Sequence, residues 1–212
     1  MKISSKKGLA VVLSSLKSFE KPKVLLEQYP TEADIAAEVL WNAFFRREIE
    51  GKTIADLGAG TGVLGIGALL LGAKHVFFVE KDEDAIQTAK ENLKIIEDRF
   101  EIKLRRKTDF LQEDVLLFDE EVDVVVQNPP FGLQKERHAD RKFLVKAMEI
   151  ADVIYSFHKA DSVKFIKELS KDNGFNVEGF WRFEFPLKNV YVHHRKKIQH
   201  IEVGCWRLEK VN

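Results

Sequence analysis

The strongest constraint on this chain is a short apolar run, residues 53–57, that ends in the glycine-rich stretch Asp56-Leu57-Gly58-Ala59-Gly60-Thr61-Gly62. A run of that length, closed by glycines and followed by a helix-sized apolar segment, is a strand turning straight into a helix. The alternation then repeats. Residues 62–71 read as a helix that Gly72 is placed to end, 76–79 as a buried strand, and 83–96 as a helix with Ile86, Ala89, Leu93 and Ile96 on one face. Residues 102–107 read as a third strand, more polar and so nearer an edge; 122–126 read as a fourth, ending at Asn128-Pro129-Pro130-Phe131. A helix at 141–150, a strand at 153–156 and a helix at 161–171 follow. Residues 177–185 and 199–208 read as two closing strands with no helix-sized segment between them, and so as an antiparallel pair. The pattern predicts an α/β fold: a doubly wound, seven-stranded, mostly parallel sheet with an antiparallel C-terminal strand. Such sheets bind ligands at the carboxyl ends of their strands, near the switch point.

Residues 1–50 read as an N-terminal helical extension. Thr31 is placed as a helix N-cap with Glu32 and Asp34 in the first turn, and Ala36, Val39, Leu40, Ala43 and Phe44 form one apolar stripe. No repeat or linker divides the sequence, so 1–212 reads as one domain: a closing segment, 1–50, and a sheet core, 51–212. Hydrophobic residues make up 45% of the chain, and 34 Lys+Arg balance 34 Asp+Glu. That excludes a natively disordered chain and argues against a generic polyanion binder, though not against a local basic patch. The single cysteine, Cys205, allows no intrachain disulfide and suits a reducing compartment. The apolar stretch near the N-terminus is too often interrupted by Lys and Glu to span a membrane, and no small-residue cleavage site follows it. A soluble, cytoplasmic protein is expected.

Two chemistries compete for the glycine loop. Gly60-Thr61-Gly62-Val63-Leu64-Gly65 matches G-x-G-x-x-G, and Glu80 follows Gly60 by 20 residues, the spacing of a dinucleotide site. Against this, the extra Gly58-Ala59 keeps the strand from running straight into the tight turn, and Asp56 puts a carboxylate where a pyrophosphate would be repelled. S-adenosyl-L-methionine carries no phosphate. Its ammonium and sulfonium favour a nearby carboxylate, its backbone can lie against Cβ-free glycines, and its ribose hydroxyls suit a bidentate Glu80. Asp109, after the third expected strand, is placed to accept from the adenine amino group, with Phe110 beside the ring. The plainer reading is a glycine turn that only links strand to helix.

The Asn128-Pro129-Pro130-Phe131 turn sits where this fold places its chemistry. Both prolines have fixed φ and force the preceding residue to be extended, so the turn is rigid. The Asn128 side-chain carbonyl and the Pro129 backbone carbonyl then point away from any ladder partner. Two such acceptors suit an exocyclic amine: by holding both N–H groups they localise its lone pair and aim it at a methyl donor. Phe131 is placed to stack on the ring that carries the amine. The plainer reading is a proline-rigidified turn with an aromatic plug.

Together these residues resemble a class I, Rossmann-like, S-adenosylmethionine-dependent methyltransferase of the Asn-Pro-Pro-aromatic type. Leu26-Glu27-Gln28-Tyr29-Pro30-Thr31, Ile35-Ala36-Ala37, Asp56-Leu57-Gly58, Gly62-Val63-Leu64, Asn128-Pro129-Pro130-Phe131-Gly132 and Tyr155-Ser156 with His158-Lys159 are similar to the methyltransferase-like protein 5 family. The resemblance runs from about residue 19 to the C-terminus. It implies adenine-N6 methylation of small-subunit ribosomal RNA, with Gln28 and Thr31 closing over the cofactor beside Gly58, Thr61, Val63, Glu80, Asp109 and Phe110; Gly60 and Gly62 are cofactor candidates from the glycine loop itself. It also implies a small zinc-binding activator subunit as partner. The chain departs from the family in two places: Gly-Ala-Gly-Thr-Gly stands where eukaryotic relatives carry cysteines, and Glu80 replaces an aspartate.

Two basic clusters stand out, Lys103-Leu104-Arg105-Arg106-Lys107 and His193-His194-Arg195-Lys196-Lys197. The first reads as a solvated face. The second joins the closing strands and, if the first of these runs parallel to the sheet, emerges beside Asn128 as a phosphate clamp for RNA. His158 and Lys159 are candidates to join it; alternatively His158 is an ordinary polar strand end. No Cys/His spacing suggests a metal site in this chain. Three rivals remain: a glutamine-amide methyltransferase acting on protein, a DNA methyltransferase, and a non-catalytic RNA-binding factor. Only about 50 residues precede the sheet, little room for protein recognition. No target-recognition insertion serves DNA, and a retired site need not keep Asp56, Glu80 and Asn128.

Overall fold

The apolar runs assemble into a seven-stranded sheet in the computed structural model, which describes residues 3–23, 26–131, 139–187 and 199–211. The strands are β1 (Thr53–Leu57), β2 (His75–Val79), β3 (Thr108–Leu111), β4 (Val122–Gln127), β5 (Ala151–Lys159), β6 (Phe175–Leu187) and β7 (Gln199–Lys210). Their spatial order is β3-β2-β1-β4-β5-β7-β6. The first five are parallel. Strand β7 runs antiparallel to both neighbours, so β6 points the same way as the parallel set. The chain order reverses between β1 and β4, which fixes the switch point of the sheet there.

Helices cover both faces. α1 (Lys6–Leu13), α2 (Ala33–Phe45), α3 (Val63–Leu70) and α4 (Glu83–Phe100) pack with Ile54, Val124 and Val126 in one core. α5 (Ala139–Ile150) and α6 (Val163–Asp172) pack with Ala55, Leu57 and Val125 in the other. Neighbouring strand residues therefore enter opposite cores, which is why these strands read as unbroken apolar runs rather than alternating ones. Among the described residues no helix is long and apolar enough to cross a membrane.

Three expectations are corrected. The third strand is not 102–107. Helix α4 continues to Phe100, keeping its apolar face one turn beyond Ile96. Glu97 Oε1 then accepts from the N–H groups of Leu104 and Arg105 (2.7 and 2.8 Å), which holds the following chain against the helix end. Residues Arg105–Lys107 form a 3-10 turn with all three side chains exposed, the solvated face the first basic cluster suggested. Pairing with β2 begins only at Thr108, opposite Val76. Strand β3 lies at the sheet edge, as its polarity implied.

The N-terminal 50 residues are not helical throughout. Between α1 and α2 the chain runs as a strap over the glycine loop. Asn92 fastens it: Oδ1 accepts from Lys17 N–H at 2.7 Å, while Nδ2 donates to the carbonyls of Lys17 and Thr61 at 2.9 Å each. Lys23 adds ion pairs to Asp82 and Asp84. Helix α2 starts one residue later than expected, with Glu32 as N-cap and no side-chain capping bond. Thr31 is free of that role because its hydroxyl accepts from Asn128 Nδ2 at 3.0 Å.

Candidate functional site

A cavity of about 300 Å³ opens at the carboxyl edge of the sheet, between the strap and the switch point. That is the lower end of the range for small-molecule sites. The strap supplies Phe19, Gln28, Tyr29 and Thr31. The loop after β1 supplies Gly58, Gly60, Thr61 and Val63, with Asp56 beneath it. Glu80 comes from the end of β2, Asp114 and Val115 from beyond β3, Asn128 and Pro130 from beyond β4, and Lys142 and Phe143 from α5.

The glycine loop is pressed between aromatic rings. A Cβ on Gly58 would stand 2.9 Å from Phe143 Cε1, and one on Gly60 2.9 Å from Phe19 Cζ. Both glycines have positive φ, so a side chain is excluded by backbone conformation as well as by space. The loop backbone is thereby left bare toward the cavity. Glu80 braces it from the other side: Oε2 accepts from Gly60 N–H at 2.9 Å and Oε1 from Asp82 N–H at 2.8 Å. Each carboxylate oxygen keeps lone-pair capacity for a further donor, the geometry a ribose diol needs.

Asp56 is buried, and its Oδ2 accepts from Gly65 N–H at 2.8 Å in the first turn of α3. Burial pushes its pKa up to about 7, against the pull of the Gly65 N–H, and the nearby Glu80 raises it further. Burial also raises Glu80, resisted by its two backbone donors. Asp114 Oδ1 accepts from Leu116 N–H at 2.9 Å. Asp56, Glu80 and Asp114 outnumber the lysines Lys81 and Lys142 in the lining, which weighs against a pyrophosphate and for a cation at the glycine loop.

Asn128 completes the site. Its Nδ2 is anchored on Thr31, while its Oδ1 is a buried acceptor with no hydrogen-bond partner among the described residues. A buried carbonyl left without a donor is costly unless a ligand supplies one.

The structure brings together Gln28, Thr31, Asp56, Gly58, Gly60, Thr61, Val63, Glu80, Asn128 and Pro130 from the residues singled out in the sequence. Others lie elsewhere. Asp109 and Phe110 fall inside β3, not after it: Asp109 Oδ2 pairs with His75 Nε2 at 3.0 Å, and Phe110 stacks on Phe78 with centroids 4.6 Å apart. Asp114 and Val115 take the place expected for them. Gly62 is the left-handed N-cap of α3 (φ 82°) and does not line the cavity. Pro129 is buried outside the lining, and Phe131, 6% exposed, packs into the core instead of facing a target ring. Burying a phenyl group stabilises by about 1.5–3 kcal/mol, a pull that a ring waiting in solvent lacks. His158 is fully buried and joins no phosphate clamp. His193, His194, Arg195, Lys196 and Lys197 lie outside the described residues, between strand ends Leu187 and Gln199, which pair beyond the carboxyl end of β5. Among the described residues no group of three or more His, Cys, Asp or Glu is placed to hold a metal ion. Sequence reasoning missed Phe19, Lys142 and Phe143, which only tertiary packing brings here, and Asp114, whose one local signal is its capping of the turn Val115–Leu117.

An acid-lined cavity under a pinned glycine loop, with an unpartnered amide carbonyl at the neighbouring strand end, defines a class I methyltransferase whose methyl donor is S-adenosyl-L-methionine. The methyltransferase small domain model matches residues 30–152. An uncharacterised protein of Methanocaldococcus jannaschii is 38% identical over 97% of this chain and 94% of its own. The rRNA N(6)-adenosine-methyltransferase Mettl5 of Drosophila melanogaster is 34% identical over 93% of this chain and 92% of its own. Among solved structures, an RNA methyltransferase candidate from Pyrococcus horikoshii superposes with a TM-score of 0.87 at 46% identity, covering 99% of each chain. The chain belongs to the methyltransferase small domain family and, within it, to the group of Mettl5.

Proposed function

We propose that the protein transfers a methyl group to the exocyclic N6 amine of adenosine in RNA, with small-subunit ribosomal RNA as the substrate. The observation that carries this reading is the Asn128 amide, with Nδ2 held by Thr31 and Oδ1 buried, unpartnered and at the cavity. S-adenosyl-L-methionine supplies the electrophilic methyl. Asn128 Oδ1 accepts one N–H of the amine, so that its lone pair is aimed along the line of attack. No strong base is required, because the methylated amine sheds its proton readily to water. Asp56 faces the positive end of the cofactor's amino-acid part, Glu80 takes the ribose hydroxyls, and Asp114 accepts from the adenine amino group. The cluster at 193–197 clamps phosphates beside the target. A cytoplasmic location accompanies this reading.

The reading extends to a small zinc-binding activator subunit. Strand β3 is four residues long and, among the described residues, pairs only with β2, which leaves its outer edge open to strand addition.

The test is mass spectrometry of nucleosides from RNA incubated with the protein and isotope-labelled cofactor. Label in N6-methyladenosine is expected. Label that appears instead in the protein fraction, as methylated glutamine, would reject the adenine substrate.

A further inference from the structure

Behind the Asn128 turn, on the face covered by α5 and α6, a line of polar side chains interrupts the apolar core. Gln127, Ser156 and His158 are each 0% exposed. Gln127 is the last residue of β4 and pairs in register with Ser156 of β5. Its Nε2 donates to Ser156 Oγ at 2.9 Å, and Ser156 Oγ lies 2.7 Å from His158 Nε2. His158 Nδ1 lies 3.6 Å from Asp140 Oδ2, an electrostatic contact longer than a hydrogen bond. Asp140 sits in the first turn of α5, where its Oδ1 accepts from Arg141 N–H at 2.9 Å. Trp206 of β7 stands edge-on to the imidazole, with ring centroids 5.7 Å apart.

One hydroxyl proton sets the direction of this chain. The Asp140 carboxylate beside Nδ1 favours the ring proton there, which leaves Nε2 to accept the hydroxyl proton of Ser156 while Ser156 Oγ accepts from Gln127. Burial lowers the imidazole pKa below its ordinary value by more than Asp140 raises it, so the ring is neutral at pH 7. The two ends of the chain support opposite walls of the cavity. Gln127 is bonded directly to Asn128, and Asp140 opens the helix that seats Phe143 against Gly58.

We propose that His158 is a positioning residue for methyl transfer: as the Nδ1–H tautomer it holds Ser156, and through it Gln127, so that the side-chain carbonyl of Asn128 meets the target amine. This rests on the reading of Asn128 as the group that holds the amine. Catalysis by orientation is steep, since a displacement of about 1 Å can lower the rate roughly 10²-fold. A buried strut adjoining the turn is therefore worth more to the rate than to cofactor affinity.

The experiment compares His158→Leu, His158→Gln and Ser156→Ala in single-turnover methyl transfer, with cofactor affinity from calorimetry. The amide oxygen of Gln can stand in for Nε2 as acceptor, whereas Leu cannot. His158→Leu and Ser156→Ala should each slow transfer about 10- to 100-fold and leave cofactor affinity within about twofold. His158→Gln should recover most of the rate, and the Ser156→Ala/His158→Leu double variant should be no slower than either single. A wild-type rate in His158→Leu or Ser156→Ala overturns the proposal, as does His158→Gln transferring as slowly as His158→Leu. So does a loss of cofactor affinity that matches the loss of rate. Should His158→Leu fail to fold, Ser156→Ala, which deletes one oxygen, carries the same comparison. The ring tautomer is read without substrate from the nitrogen-15 shifts of His158: a proton on Nδ1 is expected, and one on Nε2 overturns the proposal. A wild-type protein that methylates no adenosine rejects the proposed substrate, and the variants are then compared on whichever nucleophile takes the labelled methyl.

Discussion

Asp56 should make cofactor binding a proton-release reaction. In the ligand-free protein burial holds its pKa at about 7, so near neutral pH about half of the molecules carry a proton there. The cofactor's ammonium group favours the carboxylate. A charge-assisted hydrogen bond is worth about 1.5–3 kcal/mol, which lowers the pKa of the bound state by about one to two. Linkage then makes binding about 7- to 20-fold tighter at pH 7.5 than at pH 5.5, with the change complete above pH 7.5. Asp56→Asn is the sharp control, because its amide oxygen can still accept from Gly65 N–H while the charge and the titration are gone. That variant should bind about 10- to 150-fold more weakly at pH 7.5, and the gap should narrow as the pH falls. Glu80, also raised by burial, is present in both proteins, so a pH dependence that it carries by itself appears in both. Calorimetry in buffers of different ionisation enthalpy counts the released protons directly. Wild-type affinity that is flat between pH 5.5 and 7.5, or an unchanged pH dependence in Asp56→Asn, would refute the pairing of Asp56 with the ammonium.

The same carboxyl predicts a stability trend in the ligand-free protein. A folded-state pKa raised above 3.8 means that the native state holds a proton the unfolded chain releases, so this contribution is lost as pH rises from about 4 to about 7; thermal melts should show the loss in wild type and not in Asp56→Asn. Glu80→Ala removes both braces of the glycine loop and the acceptors for the ribose, and calorimetry should find cofactor affinity down about 10- to 150-fold. Asn128→Ala should slow single-turnover transfer by about 10²–10³ with cofactor affinity little changed, and Asn128→Asp, which keeps an acceptor, should retain more activity than Ala; loss of cofactor instead would make Asn128 a cofactor residue. Replacing Arg195, Lys196 and Lys197 with Ala should lower the salt dependence of RNA binding by about 0.7–0.9 log units per lost contact, and an unaltered slope in filter binding would return the cluster to a solvated face.

What was legible in the sequence divides along a physical line. Asp56, Glu80 and Asn128 each stand at or just past the end of a strand buried on both faces, so periodicity alone carries them to the carboxyl edge of the sheet. Residues 102–107 failed the same reasoning because Ile102 and Leu104 alternate like a strand, yet pairing is a tertiary event. Glu97 captures the N–H groups of Leu104 and Arg105 before β2 can, and the strand starts at Thr108. The error then propagated: a strand end placed too early nominates Asp109, and the true end nominates Asp114. Phe131 shows a different gap. Two prolines fix the shape of a turn but not the side on which the next ring falls, and the ring went into the core, where it is 6% exposed. Phe19 and Phe143 lay beyond local reasoning for a third reason. Nothing near either residue in sequence calls for an aromatic there; the demand comes from two glycines with no room for a Cβ. A glycine loop thus specifies two kinds of partner, the ligand that its bare backbone admits and the rings packed against it, and only the first can be read from the loop itself.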